Sequence, residues 1–278
     1  MTPWKSATRG VPQGSCLSPL LFNILIRGLP TSSAANTWQF ADDITQSVHS
    51  NNVKTIVDEL ANTYLATKNF CLSKNLEINP AKTQFIIFKN PAKKIPDEIN
   101  LEIDTHSIKL QSQVKLLGMT LDRHLTFKAH ITDVINTCNG YLGVLRRISN
   151  QLPRKLNLLF YTAIIRSHLE YASTLLTPAA SSNLEKLDII QRKAARIICN
   201  VPADSHAEPL LAELGLKSLH DRRLQRTMKI VTNSLLGNCH PELINKFLED
   251  EAEVLKLKVP STKTVMGRKR ISYLCLFR

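Results

Sequence analysis

The stretch Thr37-Trp38-Gln39-Phe40-Ala41-Asp42-Asp43-Ile44-Thr45-Gln46-Ser47-Val48-His49 decides how this 278-residue chain is read. It reads as two short strands around Ala41-Asp42-Asp43, which sets two adjacent carboxylates at the tip of an otherwise apolar hairpin. Adjacent strand residues point to opposite faces, so both can serve one site only if the turn swings both round. Burying two uncompensated carboxylates is costly, and a bound divalent cation is a natural counter-charge. An Asp-Asp turn facing water is the plain alternative.

Upstream lies Arg9-Gly10-Val11-Pro12-Gln13-Gly14-Ser15, then Cys16-Leu17-Ser18-Pro19-Leu20. Two glycines around Pro12-Gln13 keep a loop tight and its backbone approachable just before a helix N-terminus, a setting that suits an anion such as a phosphate. It is no Walker A loop, because the GK[ST] tail is missing, and a purely structural connection is its bland reading. Leu17–Leu29 is expected to be helical, with Ser18 as N-cap and Pro19 at the first helical position.

Downstream, Val53, Val57, Leu60 and Tyr64 recur with helical spacing and predict an amphipathic helix over 52–76. Thr83–Phe88 reads as a buried strand, and Ile99–Ile103 with Ile108–Leu110 as a hairpin turning at 104–107. Val114–Leu121 reads as one more strand in which Gly118 marks a bulge or a close backbone approach. Strands flanked by helices make residues 1–125 an α+β domain. Beyond 126 the pattern becomes helical, over 129–149, 153–176, 182–199, 216–236 and more weakly 241–257, with breaks at Pro153, Pro178, Pro202, Pro209 and Pro241. Residues 260–278 lose periodicity and are expected to form a frayed basic tail.

Composition narrows the function classes. Hydrophobic residues make up 43% and charged ones 21%, so disordered and fibrous classes are excluded. The six cysteines stand far apart with no CxxC pair, which excludes a zinc ribbon and favours a reducing compartment. Leu20–Ile26 is too short and too late for a signal peptide or a membrane span, so the expectation is a soluble intracellular protein, nuclear or cytoplasmic, with no membrane partner. The histidines are scattered and form no HxxxH pair, and they read as structural or surface groups. The net charge of +13 is uneven: residues 1–125 hold 13 basic and 10 acidic groups, residues 126–278 hold 23 and 13. A basic half of that size favours polyanions through counterion release. Arg222, Arg226 and Lys229 make one basic stripe, and Lys193 and Arg196 stand off the apolar side of their helix. Solvated bundle faces are the alternative for any one of them.

The loop and the Asp pair together, Gly10-Val11-Pro12-Gln13-Gly14-Ser15-Cys16-Leu17-Ser18-Pro19-Leu20-Leu21-Phe22-Asn23 and then Phe40-Ala41-Asp42-Asp43, resemble the reverse transcriptases of non-LTR retrotransposons, the LINE and jockey-like group. Leu76-Glu77-Ile78-Asn79-Pro80-Ala81-Lys82-Thr83 resembles that family's lysine-bearing motif. Val114–Asp122 resembles its primer-grip strand, and Gln191–Ile197 a helix of its thumb and connection. The similarity runs over roughly residues 9–225.

This resemblance implies a partial polymerase palm over 1–125, an antiparallel sheet with helices on one face, and an all-helical thumb and connection bundle over 126–259. It implies two Mg²⁺ ions that clamp the attacking 3′-oxygen and the leaving pyrophosphate, with an RNA template, a DNA primer and dNTPs as partners. Asp42 is then a direct metal ligand and Asp43 a supporting one. Gly10, Pro12, Gln13, Gly14 and Ser15 contact the incoming nucleotide and template. Lys82 neutralises or protonates the pyrophosphate, and Leu117-Gly118 let the primer backbone approach. Arg192, Lys193, Arg196, Arg222, Arg226 and Lys229 grip the nucleic-acid backbone. The family has a further catalytic aspartate in a strand upstream of the first motif, and none of the nine residues before Gly10 is acidic. The expectation is therefore a fragment inactive alone, since losing about 5 kcal/mol of transition-state stabilisation costs about 10³–10⁴ in rate. A non-catalytic remnant that binds nucleic acid through its basic helices is the alternative.

Overall fold

Two kinds of periodicity build two compact units. The first takes in Met1–Leu116, Asp122–His124 and Ile271–Arg278, the second Leu117–Leu121 and Leu125–Arg270. The computed structural model describes residues 10–11, 14–96, 98–103 and 106–241, and the backbone at 248–249, 256–257 and 275–276. Strands and helices mix in the first unit and helices dominate the second, so the chain is α+β. Among the described residues no helix is long and apolar enough to cross a membrane.

In the first unit, α1 (Ser18–Leu25) starts one residue earlier than expected. Leu17 holds the cap position, and the Ser15 hydroxyl, not Ser18, accepts from the Leu17 N–H at 3.3 Å. Strands β1 (Ala35–Phe40) and β2 (Asp43–Val48) pair antiparallel with Phe40 opposite Asp43. All of Ile44–Val48 is buried, the mark of a strand covered on both faces, whereas β1 is mostly open. Helix α2 (Val53–Ser73) is capped by Asn52, whose Oδ1 accepts from the Lys54 N–H at 2.9 Å. Its buried stripe is Ile56, Leu60, Thr63, Tyr64, Thr67 and Cys71, with Val53 and Val57 only partly covered. Leu60, Phe85 and Leu101 are fully buried in one core cluster.

The run 83–88 differs from its expectation as a strand. Phe85–Phe88 are buried, but the pairing is an isolated bridge from Phe85 to Leu110, supported by Gln111 N–H donating to Phe85 O at 2.8 Å. The expected hairpin forms as β3 (Asn100–Ile103) and β4 (His106–Lys109). Val114–Leu121 is not one bulged strand. It is β5 (Gln113–Leu116) and β6 (Met119–Asp122), separated by Leu117 and Gly118 with φ of 45° and 81°, the consecutive positive values of a type I′ turn.

In the second unit, α3 (Lys128–Ile148) buries His130, Ile131, Cys138, Leu142 and Leu145 along one face. The helix expected over 153–176 is broken into α4 (Arg154–Phe160), a π turn Tyr161–Ile165, α5 (Arg166–Glu170) and a 3₁₀ turn Ser173–Leu176. The interruption falls where Ala172 takes a left-handed φ of 46°. Helix α6 (Ser181–Ile198) follows, then α7 (Ala207–Glu213), which the pattern did not predict, and α8 (Leu219–Leu235). Ser218 caps α8 by accepting from the Asp221 N–H at 3.0 Å and donating to its carboxylate at 2.7 Å.

Where a weak helix was expected over 241–257, Leu248–Glu249 (β7) and Lys256–Leu257 (β8) pair antiparallel, and 242–247 lie outside the described residues. Most of the expected tail also lies outside them. Cys275–Leu276 (β9) pair with Gln46 and Thr45 on the edge of β2 opposite β1, so at these two residues the chain is paired rather than frayed.

Candidate active site

The register of β1 and β2 leaves a two-residue turn, Ala41-Asp42. Ala41 takes a left-handed φ of 53°, a conformation that costs a non-glycine residue about 1 kcal/mol. The Gln39 side-chain amide donates to the Ala41 carbonyl at 3.0 Å and holds the turn. Asp42 therefore lies in the turn while Asp43 heads β2, and the opposite-face rule for neighbouring strand residues does not apply between them. Both line one cleft of about 720 Å³ within the first unit, Asp42 exposed and Asp43 half-buried.

Lys82 lines the same cleft. It ends the 3₁₀ turn Pro80–Lys82, which Asn79 caps by accepting from the Ala81 N–H at 3.0 Å. The Thr83 hydroxyl donates to the Asn79 carbonyl at 3.1 Å and secures the exit of that turn. Asp42, Asp43 and Lys82, which the sequence had singled out on separate segments, are thus brought together. Gln46, which it had not, completes the wall. It is 1% exposed, and its Nε2 donates to Thr67 Oγ1 at 2.7 Å and to Thr63 O at 3.4 Å on α2. Its Oε1 has no hydrogen-bond partner among the described residues. The available signal was a lone amide within the run Ile44–Val48, where a fully covered strand requires such a group to be bonded.

The donor set bears on a metal ion. Glu77 also lines the cleft, yet among the described residues no three His, Cys, Asp or Glu side chains come together to hold a metal. Mg²⁺ is commonly held by one or two carboxylates together with substrate phosphates. Asp42 and Asp43 fit one such ion and fall short of a set for two.

Among the described residues of the first unit, the other expected site residues do not line this cleft. Gly10 and Gly14 have φ of 86° and 89°, the left-handed values that call for glycine, and Ser15 is engaged at the start of α1. Pro12 and Gln13 lie outside the described residues. The Leu117-Gly118 turn belongs to the second unit, where the Tyr171 hydroxyl donates to the Leu117 carbonyl and its ring would meet a Cβ on Gly118 at 3.5 Å. Arg192 pairs with Glu185 at 3.9 Å. Lys193 and Arg196 line a second cleft, between α3 and α6, and Lys229 lines a small third one beside Arg226.

Arg222 and Arg226 are engaged within the second unit. They close on Glu170, which is 5% exposed: Arg222 grips both carboxylate oxygens, with Nη2 on Oε2 at 3.0 Å. Arg226 reaches Oε2 at 2.6 Å and the Glu170 carbonyl at 2.5 Å. Hydrogen bonding to Glu170 raises the Arg222 pKa above the usual guanidinium range. These arginines neutralise a buried carboxylate instead of forming an open stripe.

Residues 4–121, which hold the loop, the Asp pair, Lys82 and Gly118, match the family model described as reverse transcriptase (RNA-dependent DNA polymerase). That part of the chain is similar to the reverse transcriptase family. The chain is 27% identical over 261 residues to the RNA-directed DNA polymerase from mobile element jockey of Drosophila melanogaster, an alignment covering 90% of this chain and 28% of that protein. It is 26% identical over 231 residues to the probable RNA-directed DNA polymerase from transposon BS of the same species, covering 79% and 25%. These relatives agree with the non-LTR group that the motifs resemble. The chain spans about a quarter of the length of the curated reverse transcriptases it matches. No solved structure matches it. The helical half lies beyond the family match, and the jockey alignment, at 90% of this chain, extends into it.

Proposed function

We propose that this chain forms part of the nucleotide-joining site of an RNA-directed DNA polymerase that extends a DNA primer on an RNA template, with Asp42, Asp43 and Lys82 as its charged core. The observation that carries this reading is that Asp42 from one turn, Asp43 from the head of β2 and Lys82 from another turn all line one cleft. Asp42 serves as the direct ligand to Mg²⁺, and Asp43 supports it from the head of β2. When bound there, Mg²⁺ would supply neutralisation of phosphate charge. Lys82 brings a positive charge to the same cleft, where it stabilises the departing pyrophosphate. Gln46 ties β2 to α2 and so holds the strand that carries Asp43. Positioning and charge carry the rate in such a reaction, because little covalent work falls to the protein.

Two carboxylates do not make a site for two ions, so the chain by itself is expected to bind nucleotide without extending a primer efficiently. The test is equilibrium binding of a fluorescent dNTP with and without Mg²⁺, beside primer extension on an RNA template. Binding should need Mg²⁺ and weaken about tenfold or more in Asp42→Asn, the loss expected when a charged contact is removed. Binding that ignores both Mg²⁺ and Asp42→Asn contradicts the reading, and robust extension contradicts the inactivity.

A second reading, a non-catalytic remnant that holds nucleic acid through its basic helices, is favoured by the lack of a three-residue metal-ligand group among the described residues. It predicts Mg²⁺-independent binding of RNA and DNA with no dNTP binding.

A further inference from the structure

The cleft that Asp42, Asp43 and Lys82 line also has an apolar side. Phe22, Ile26, Ile44, Cys71, Leu76 and Ile78 line it and belong to one apolar cluster, in which Ile26, Ile44 and Cys71 are buried. Burial raises the Cys71 thiol above its ordinary pKa, as an apolar setting does. Ile44 and Gln46 are two residues apart on β2 and share the face that meets α2. Gln46 stands three residues along the strand from Asp43, about 10 Å at about 3.3 Å per residue.

Gln46 lines the same cleft, is 1% exposed, and brings one unanswered group to it. The Thr63 carbonyl can only accept, so the amide nitrogen of Gln46 is the end held by α2 and Oε1 is the end left over. That oxygen has no hydrogen-bond partner among the described residues. A buried acceptor without a donor is costly, so a bound molecule that supplies a donor gains affinity by relieving it. The cleft, at about 720 Å³, falls within the range of small-molecule pockets, about 300–1,000 Å³, where apolar walls supply contact area and a few polar groups fix orientation.

We propose that the apolar side of this cleft binds a neutral, planar aromatic molecule carrying one N–H donor, and that Gln46 Oε1 accepts from that donor. Phe22 is half-buried on the lining and offers a ring for the ligand to stack on. A cation would be drawn to Asp42 and Asp43 and an anion to Lys82, whereas an apolar wall with one neutral acceptor selects a neutral molecule. The site goes beyond the polymerase reading and does not rest on it. The competing role for Gln46 is to fasten β2 to α2 with a water on Oε1, which predicts no preference for a donor.

The experiment titrates the full, isotope-labelled chain with indole and, separately, with benzofuran, which has the same shape and an oxygen in place of the N–H. Indole should saturate, shifting the side-chain amide resonances of Gln46 and the backbone amides of Ile44, Cys71 and Ile78, with or without Mg²⁺. Benzofuran should bind about three- to tenfold more weakly, the worth of one hydrogen bond to a neutral group. In Gln46→Leu, checked for folding by thermal melt, the two probes should bind alike; the wild-type comparison decides the matter without that variant. Equal affinities in the wild type, shifts centred away from Gln46, no binding of indole, or binding that requires Mg²⁺ would each overturn the site. The polymerase reading would survive any of these, because Mg²⁺-dependent binding of a dNTP tests it separately.

Discussion

Glu170 in the second unit and Asp42 in the first are carboxylates under opposite regimes. Glu170 is almost wholly buried, and Arg166, Arg222 and Arg226 all approach it. Asp42 stands exposed in a strained turn and lines a cleft together with Asp43 and Lys82. The first arrangement binds the unit together and leaves no charge for a ligand. Asp42, exposed in its turn, contributes little to packing and keeps its charge on offer to a ligand. Acidic or basic character along a chain therefore says little about function until burial shows which charges are already answered.

Four substitutions or conditions sharpen this contrast, beginning with the largest effect. Glu170→Ala strands two partly buried arginines and should cost about 3 kcal/mol, near the low end for a broken buried pair because Arg226 is half exposed. Chemical denaturation followed by circular dichroism measures it, and a loss below about 1 kcal/mol would make the cluster a surface feature.

The second concerns the Cys138 thiol, buried in the second unit and raised by burial from 9.0 to about 11. The unfolded chain ionises this thiol first, so stability should be intact below about pH 9 and fall toward pH 11, by about 1 kcal/mol per pH unit at its steepest. Cys71 in the first unit is raised in the same direction and acts the same way. Denaturation midpoints from pH 8 to pH 11 should flatten in Cys138→Ala. An unchanged slope removes that residue from the account.

The third, Ser218→Ala, should cost about 1 kcal/mol by uncapping α8. The same denaturation curves read that loss, and no shift would mean that the helix is held by Glu170 alone. The smallest effect is Asp42→Asn on stability, expected to lie within about 0.5 kcal/mol, as for an exposed site. A loss as large as that of Glu170→Ala would mean that the two carboxylates do the same job and would dissolve the comparison.

Much of the candidate site was legible because its signals are local. The two-residue turn at Ala41-Asp42 sits between strands recognisable from their composition, and α2, α3 and α6 show helical spacing over more than four turns. Four differences have physical causes. Leu117 carries a positive φ, rare for leucine, so the turn after β5 lacked the Asn-Gly or Asp-Gly signature and 114–121 read as one strand. The apolar run 83–88 reports burial and says nothing about whether a partner strand aligns with it. Arg222 and Arg226 read as an open stripe because Glu170 lies 52 and 56 residues away and reaches them only through tertiary packing. The seven residues of α7 are too few for periodicity to mark.

The account turns on whether the turn that carries Asp42 and the turn that carries Lys82 share one ion-binding cleft. Substoichiometric Mn²⁺ added to the isotope-labelled chain tests this most directly, because its paramagnetism broadens only nearby amide resonances. Broadening confined to residues around 42–46 and 79–84, and lost in Asp42→Asn, is the predicted result. Broadening centred elsewhere, or unchanged by that substitution, would contradict it.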